Sequence, residues 1–304
     1  MKSMQMTKLP PALLLYFEEE KDQAEQIATS AGMALACISR HRFPDGELKL
    51  RLPDPLPQRV TILRSLHHPN EKLVELLLVA RTARPLGANH LTLVAPYLAY
   101  MRQDIAFQPG EAVSQRIVGR FLADLFDAII TVDPHLHRIT TLQEAVPVPQ
   151  AIVLSGAPLL ADLIALHRQQ PLLVGPDEES AQWISQAAQR HGFDFAVCHK
   201  TRHGDRSVEA TLPQADFAGR AVVLLDDIAS SGHTLASVAH LLISAGAATV
   251  DVAVTHALFA EDAIKLITNA GVSNIWSTDC IPHPSNAVST APLIATALTS
   301  LYSL

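Results

Sequence analysis

Short apolar runs of strand length alternate with amphipathic stretches of helix length from one end of the chain to the other. No other feature restricts the fold as much. Strands are expected at 13–17, 47–52, 91–95, 128–132, 172–174, 195–199, 222–225 and 250–254. Helices are expected at 22–31, 70–83, 114–125, 180–191, 234–245 and 261–270, with Gly32, Gly246 and Gly271 as stops and Asn70 as an N-cap. The stripe Leu73, Leu76, Leu77, Ala80 carries the helical period, whereas Leu48, Leu50 and Leu52 alternate strictly with Lys49 and Arg51. Strands joined by helices of this length build parallel sheets from crossover units, so the expected class is α/β.

A chain of 304 residues suggests two such domains. Val146-Pro147-Val148-Pro149 continues neither a helix nor a central strand, and places the expected boundary near 150, with domains at 1–150 and 151–304. Composition narrows the function classes. With 48% hydrophobic residues and 17% charged, the chain can bury a sizeable core. A net charge of −7 argues against a general nucleic-acid or anionic-membrane binder, and 5% aromatics against a base-stacking surface. Cys37, Cys198 and Cys280 lie far apart, in no metal-ligand spacing, and read as reduced, buried thiols of a cytosolic protein. The apolar run 12–17 is followed at once by Glu18-Glu19-Glu20, which does not fit a signal peptide, and no run has the roughly 18 apolar residues that span a membrane. The expectation is a cytoplasmic protein with no nucleic-acid or membrane partner.

In open parallel sheets, ligands bind beyond the carboxyl ends of the strands. The most informative such place begins at Val222: an apolar run, then Asp226-Asp227, then Ser230-Ser231-Gly232-His233-Thr234 and a helix. Backbone N–H groups at a helix start, with the hydroxyls of Ser230, Ser231 and Thr234, form a phosphate cradle. The two carboxylates would repel phosphate and suit vicinal sugar hydroxyls or a cation. Together they describe a site for a sugar phosphate. An ordinary capped strand-to-helix turn is the bland alternative.

This segment resembles the 5-phosphoribosyl-1-diphosphate loop of the type I phosphoribosyltransferase fold. Five further segments are similar to those of the ribose-phosphate pyrophosphokinases and occur in that family's order. They are Phe43-Pro44-Asp45-Gly46-Glu47, Pro96 to Asp104 (Pro-Tyr-Leu-Ala-Tyr-Met-Arg-Gln-Asp), Thr131-Val132-Asp133-Pro134-His135, Gly175-Pro176-Asp177 and Lys200-Thr201-Arg202. Each is weak alone; the ordered set is specific.

The resemblance implies two phosphoribosyltransferase-type domains and a reaction that moves the diphosphoryl group of ATP to the anomeric hydroxyl of ribose 5-phosphate, leaving AMP. It implies ATP binding by Phe43, Asp45, Gly46, Glu47, Arg102, Gln103 and Asp104, magnesium contacts at His135 and Asp177, and catalysis by Lys200 and Arg202. Ribose 5-phosphate is then held by Arg202, Asp226, Asp227, Ser230, Ser231, Gly232, His233 and Thr234. It further implies a homo-oligomer, dimer or hexamer, in which Phe43, Asp45 and Glu47 reach the nucleotide of a neighbouring subunit.

Two departures stand out. Ser230-Ser231-Gly232-His233-Thr234 replaces the commoner Asp-Thr-Ala/Gly-Gly-Thr, and Glu178-Glu179-Ser180 replaces a Gly-rich stretch after Asp177. Three rivals remain. A true phosphoribosyltransferase shares the second-half loop but has no need of Asp45-Gly46-Glu47 or Arg102-Gln103-Asp104. A non-catalytic synthetase-associated protein has no need of Lys200 and Arg202. A metal hydrolase is suggested by Asp133-x-His135-x-His137, though in a chain with 14 histidines a His-x-His pair is unremarkable.

Overall fold

Val222 and Leu224 belong to one buried cluster and their alternates Val223 and Leu225 to another. A strand whose successive side chains feed two cores is covered on both faces, which is why it reads as an unbroken apolar run. The computed structural model describes residues 11–136, 138–203, 207–260 and 262–303, without the side chains of 200–203 and 207–209. These residues form two compact units, one extending to Leu154 and resuming at Ala291, the other Ser155–Thr290.

The first unit contains β1 (Leu13–Tyr16), α1 (Lys21–Ala31), β2 (Ala34–Cys37), β3 (Ser39–Arg42), β4 (Leu48–Arg51), β5 (Arg59–Leu63), α2 (Pro69–Ala83), β6 (His90–Ala95), α3 (Ser114–Ala123), β7 (Ala128–Val132), α4 (Leu142–Ala145) and β8 (Gln150–Leu154). The second contains α5 (Ala157–His167), β9 (Leu172–Gly175), α6 (Ala181–His191), β10 (Asp194–Val197), β11 (His199–His203), β12 (Ser207–Thr211), β13 (Ala221–Ala229), α7 (His233–Ser244), β14 (Thr249–Ala257), α8 (Ala263–Asn269), β15 (Ile275–Thr278) and β16 (Asn286–Val288). The last helix, α9 (Ala291–Tyr302), belongs to the first unit.

Each unit is built on a six-stranded parallel sheet, ordered β2-β1-β5-β6-β7-β8 in the first and β10-β9-β13-β14-β15-β16 in the second. The two orders are the same when counted from each unit's own start. In both, an antiparallel hairpin (β3–β4, β11–β12) intervenes between the second and third strands of the sheet. The α/β class expected from the sequence is what the structure shows, as is its parallel pairing. On the first sheet, Ala24 and Ile27 of α1 pack with Ile294 and Leu298 of α9 over Leu14, Leu63, Val94 and Ile130. The Tyr302 hydroxyl bonds Thr61 Oγ1 (2.9 Å) and Thr92 Oγ1 (2.8 Å). On the second, α7 and α8 cover Leu224 and Val252 while α5 and α6 cover Val223 and Ala253. Among the described residues, no helix is long and apolar enough to cross a membrane.

Four local expectations change. Helix α2 starts at Pro69 with His68 in the N-cap position, and the Asn70 side chain instead accepts a hydrogen bond from the Tyr100 hydroxyl. Proline at the first helical position supplies a preset φ and needs no N–H partner. Cys37, expected to be a buried thiol, is exposed at the end of β2. Residues 195–199 divide between β10 and the start of β11. Finally, β13 continues past Leu225 to Ala229, paired with β14 through Asp226↔Val254, Ile228↔His256 and Ala229↔Ala257.

Candidate active site

In the second unit, strands β9, β13 and β14 are neighbours, so the segments that leave their carboxyl ends share one edge of the sheet. At the end of β9, Gly175 leads to Pro176-Asp177. A Cβ on Gly175 would stand 2.2 Å from Ser180 Oγ and 2.7 Å from Ile184 Cδ1, so any side chain there forces both to move. Ser180 Oγ in turn donates to the Asp177 carbonyl at 2.5 Å, and Asp177 Oδ1 accepts from the Glu179 N–H at 3.1 Å. These bonds fold the chain into a tight turn with Asp177 buried at its head. Burial pushes the neighbouring Cys198 thiol up to about 12, and the charge of Asp177 adds to the effect. Cys198 is therefore an inert core thiol. Glu178 is engaged by His199 Nδ1 at 2.9 Å, at the root of the β11–β12 hairpin.

Asp226 and Asp227 lie within β13, so their side chains leave on opposite faces; Asp226 is half-buried and Asp227 buried. The sequence suggested two acids side by side beyond a strand end. The structure gives two acids on alternate faces of one long strand. Only Ser230, Ser231 and Gly232 separate that strand from α7, which begins at His233 with Thr234 in its first turn. Gly232 is the N-cap and brings no side chain, so the first N–H groups of α7 are left for another acceptor. The Ser230 carbonyl accepts from the Ala260 N–H at 2.9 Å, which fixes the turn from behind.

The hairpin pairs Lys200 with Ala210 and Arg202 with Val208. Its tip, 204–206, lies outside the described residues, as do the side chains of Lys200 and Arg202.

In the first unit, the hairpin tip Phe43–Glu47 is closed by Phe43 N–H to the Glu47 carbonyl (2.8 Å), Gly46 N–H to the Phe43 carbonyl (2.9 Å) and Glu47 N–H to Asp45 Oδ1 (3.2 Å). Gly46 has φ +95°, a conformation that suits glycine. Phe43 is exposed, with the His41 ring edge-on at 4.9 Å. Beyond β6, Arg102 is exposed and Gln103 half-buried, and the Gln103 carbonyl accepts from the Gln115 N–H at 3.2 Å. Asp104 is buried and ion-paired with Arg138 Nη1 at 2.5 Å. His135 is half-buried beyond the end of β7, and His137 lies outside the described residues. Among the described residues, which do not include His137, no three His, Cys, Asp or Glu side chains gather as a metal-binding group.

The first unit also holds a buried ion-pair group that no sequence motif marks. Arg64, at the carboxyl end of β5, is 1% exposed and pairs with Glu19 (2.7 Å), Glu20 (3.1 Å) and Glu75. Burial alone would raise Glu19, but its bonds from the backbone, Arg64 and Arg40 outweigh that and hold it down at about 2. Burial dominates at Glu20 and pushes it up. Lys72 donates to the Ser65 carbonyl at 2.6 Å, and burial lowers its pKa. The only local signal was a single cation directly after the apolar strand 60–63.

The chain matches two described families: residues 12–125 match the N-terminal domain of ribose phosphate pyrophosphokinase, and residues 149–268 the phosphoribosyl transferase domain. It is 35% identical to a ribose-phosphate pyrophosphokinase of Methanopyrus kandleri over 95% of this chain and 99% of that one. It is 34% identical to one of Methanosarcina acetivorans over 91% of this chain and 96% of that one. The crystal structure of phosphoribosylpyrophosphate synthetase from Mycobacterium smegmatis is similar in fold, with a TM-score of 0.83 at 24% identity, covering 96% of this chain and 99% of that one. With near-complete coverage on both sides and identity above 30%, the chain belongs to the ribose-phosphate pyrophosphokinase family.

Proposed function

We propose that this protein is a ribose-phosphate diphosphokinase: it transfers the diphosphoryl group of ATP to the anomeric hydroxyl of ribose 5-phosphate, giving 5-phosphoribosyl 1-diphosphate and AMP. The anomeric oxygen bonds to the β-phosphorus as the bond from that phosphorus to the bridging oxygen of AMP breaks. The observation that carries this reading is the end-to-end match to proteins of that name. A phosphoribosyltransferase would account for 149–268 but not for the first-unit match at 12–125.

Phosphoryl transfer asks chiefly for positioning and for positive charge where the transition state spreads negative charge. The hydroxyls and N–H groups of Ser230 to Thr234 take the 5-phosphate, and Asp226 faces the sugar hydroxyls from its strand, with Asp227 on the opposite face of β13. Lys200 and Arg202, on a hairpin that leaves the same sheet edge, close over the transferring phosphorus and exclude water. Phe43 stacks on the adenine, with Asp45, Gly46 and Glu47 beside it, and Arg102 and Gln103 hold the polyphosphate. Asp104 acts here by holding Arg138, a second cation, against the same segment.

Magnesium keeps most of its own waters and takes one or two carboxylates besides substrate phosphates. The buried Asp177 carboxylate would suit such an ion, and His135 is the other residue that the family resemblance assigns to it. The ion would neutralise the polyphosphate. The same reading carries a cytoplasmic homo-oligomer in which the Phe43–Glu47 tip reaches a neighbouring subunit's nucleotide.

The test is AMP release from ATP and magnesium, with and without ribose 5-phosphate. AMP formed one-for-one with phosphoribosyl diphosphate, and only with the sugar present, supports the assignment; AMP formed without the sugar overturns it.

A further inference from the structure

The β3–β4 hairpin has little apolar hold on its own unit. All four residues of β3 are exposed, and in β4 only Leu48 and Leu50 are half-buried. Its fastening is ionic. Arg40 meets Glu19 as a fork, Nη1 to Oε1 and Nη2 to Oε2 at 3.0 Å each, and Nη1 also donates to Glu75. Arg64 grips the same two carboxylates from inside the unit. Phe17 lies beneath both guanidinium groups, its ring centre 5.4 Å from that of Arg40 and 4.3 Å from that of Arg64. Bidentate guanidinium–carboxylate pairs fix orientation as well as distance, and here the acids are themselves held. Exposed Arg42, bound to half-buried Glu71, adds a weaker outer contact.

We propose that Arg40 is a positioning residue for the nucleotide, setting where the Phe43–Glu47 tip stands by clamping its hairpin to the Glu19–Arg64–Glu75 group. Phe43 stands three residue steps beyond Arg40 along the strand direction, a rigid arm of about 10 Å. A hairpin without the clamp swings at its tip. The inference rests on the reading that this tip binds ATP. Removing Arg40 does not strand a buried charge, because Glu19 and Glu75 keep Arg64. The fold therefore survives the substitution, and the effect falls on the tip.

The test compares Arg40→Ala, Arg40→Lys and Phe43→Ala with the parent in steady-state kinetics, with thermal unfolding measured on each. Arg40→Ala should raise the KM for ATP about 10-fold, leave the KM for ribose 5-phosphate unchanged and unfold close to the parent. Arg40→Lys, which keeps the charge but not the fork, should fall between them. A parental KM for ATP in Arg40→Ala, beside a raised one in Phe43→Ala, overturns the clamp and leaves the tip's role standing. A parental value in both overturns the tip's role and the clamp with it. Loss of kcat in step with a lowered unfolding temperature, at constant KM, also overturns it, since that is a structural effect alone.

Discussion

Gly175 and Ser180 are packed so closely that the first carbon of any side chain at 175 would lie 2.2 Å from the serine hydroxyl. That hydroxyl holds the carbonyl of Asp177, so the spacing of a glycine and a serine sets the position of the candidate metal-binding carboxylate.

The consequence is a large effect from one methyl group. Gly175→Ala must push Ser180 and Ile184 apart, and should cost about 1–3 kcal/mol of stability, as overpacking does. Activity should fall further than stability explains, about 100-fold, because the Asp177 turn moves. Unfolding temperature and kcat on the same preparation check this; a variant with parental kcat contradicts the role of the turn.

Lys200→Ala should lower kcat by about 10²–10³, or about 2.7–4 kcal/mol of barrier, while ATP binding holds. Single-turnover rates beside ATP titrations separate the two. Equal rates in variant and parent remove Lys200 from the chemistry.

Asp226→Asn keeps the side-chain shape within β13 but loses the charge. It should raise the KM for ribose 5-phosphate about 10-fold, as lost charge-assisted bonds do, with the KM for ATP unchanged. Unaltered sugar affinity argues against the assigned sugar site.

Acid should act on His67. Its burial, and then the charge of Lys72, pull its pKa down from 6.5 to about 4. Between those values the unfolded chain takes up a proton that the folded one refuses, so this residue withdraws stability as pH falls through the window. Glu20, raised by burial, works in the opposite direction over part of it, so the informative comparison is with His67→Asn. Denaturant unfolding from about pH 7 to about pH 5 should show the parent losing more stability than the variant. Parallel losses contradict a buried neutral His67.

Much of this molecule is legible along the chain, and the reasons for the exceptions are physical. Runs such as 128–132 and 250–254 announce themselves because a strand buried on both faces has to be continuously apolar. The turn Phe43–Glu47 is visible because a Gly after Pro-Asp can take the positive φ that closes it. The continuation of β13 through Asp226 and Asp227 was hidden, since adjacent acids look like the end of a strand and only pairing with β14 shows otherwise. Arg40, Glu19, Arg64 and Glu75 gave no joint signal either. They stand far apart in sequence, and what joins them is a fold that brings a hairpin, a strand end and a helix together. Nor does any local pattern in 291–302 say that this helix packs beside α1.

Transfer of an intact diphosphoryl group is tested most directly by the fate of the β-phosphate. With ATP labelled at the β-phosphorus, magnesium and ribose 5-phosphate, the label should appear in phosphoribosyl diphosphate, with unlabelled AMP as the other product. Label recovered in ADP, with phosphate added singly to the sugar, would contradict the account.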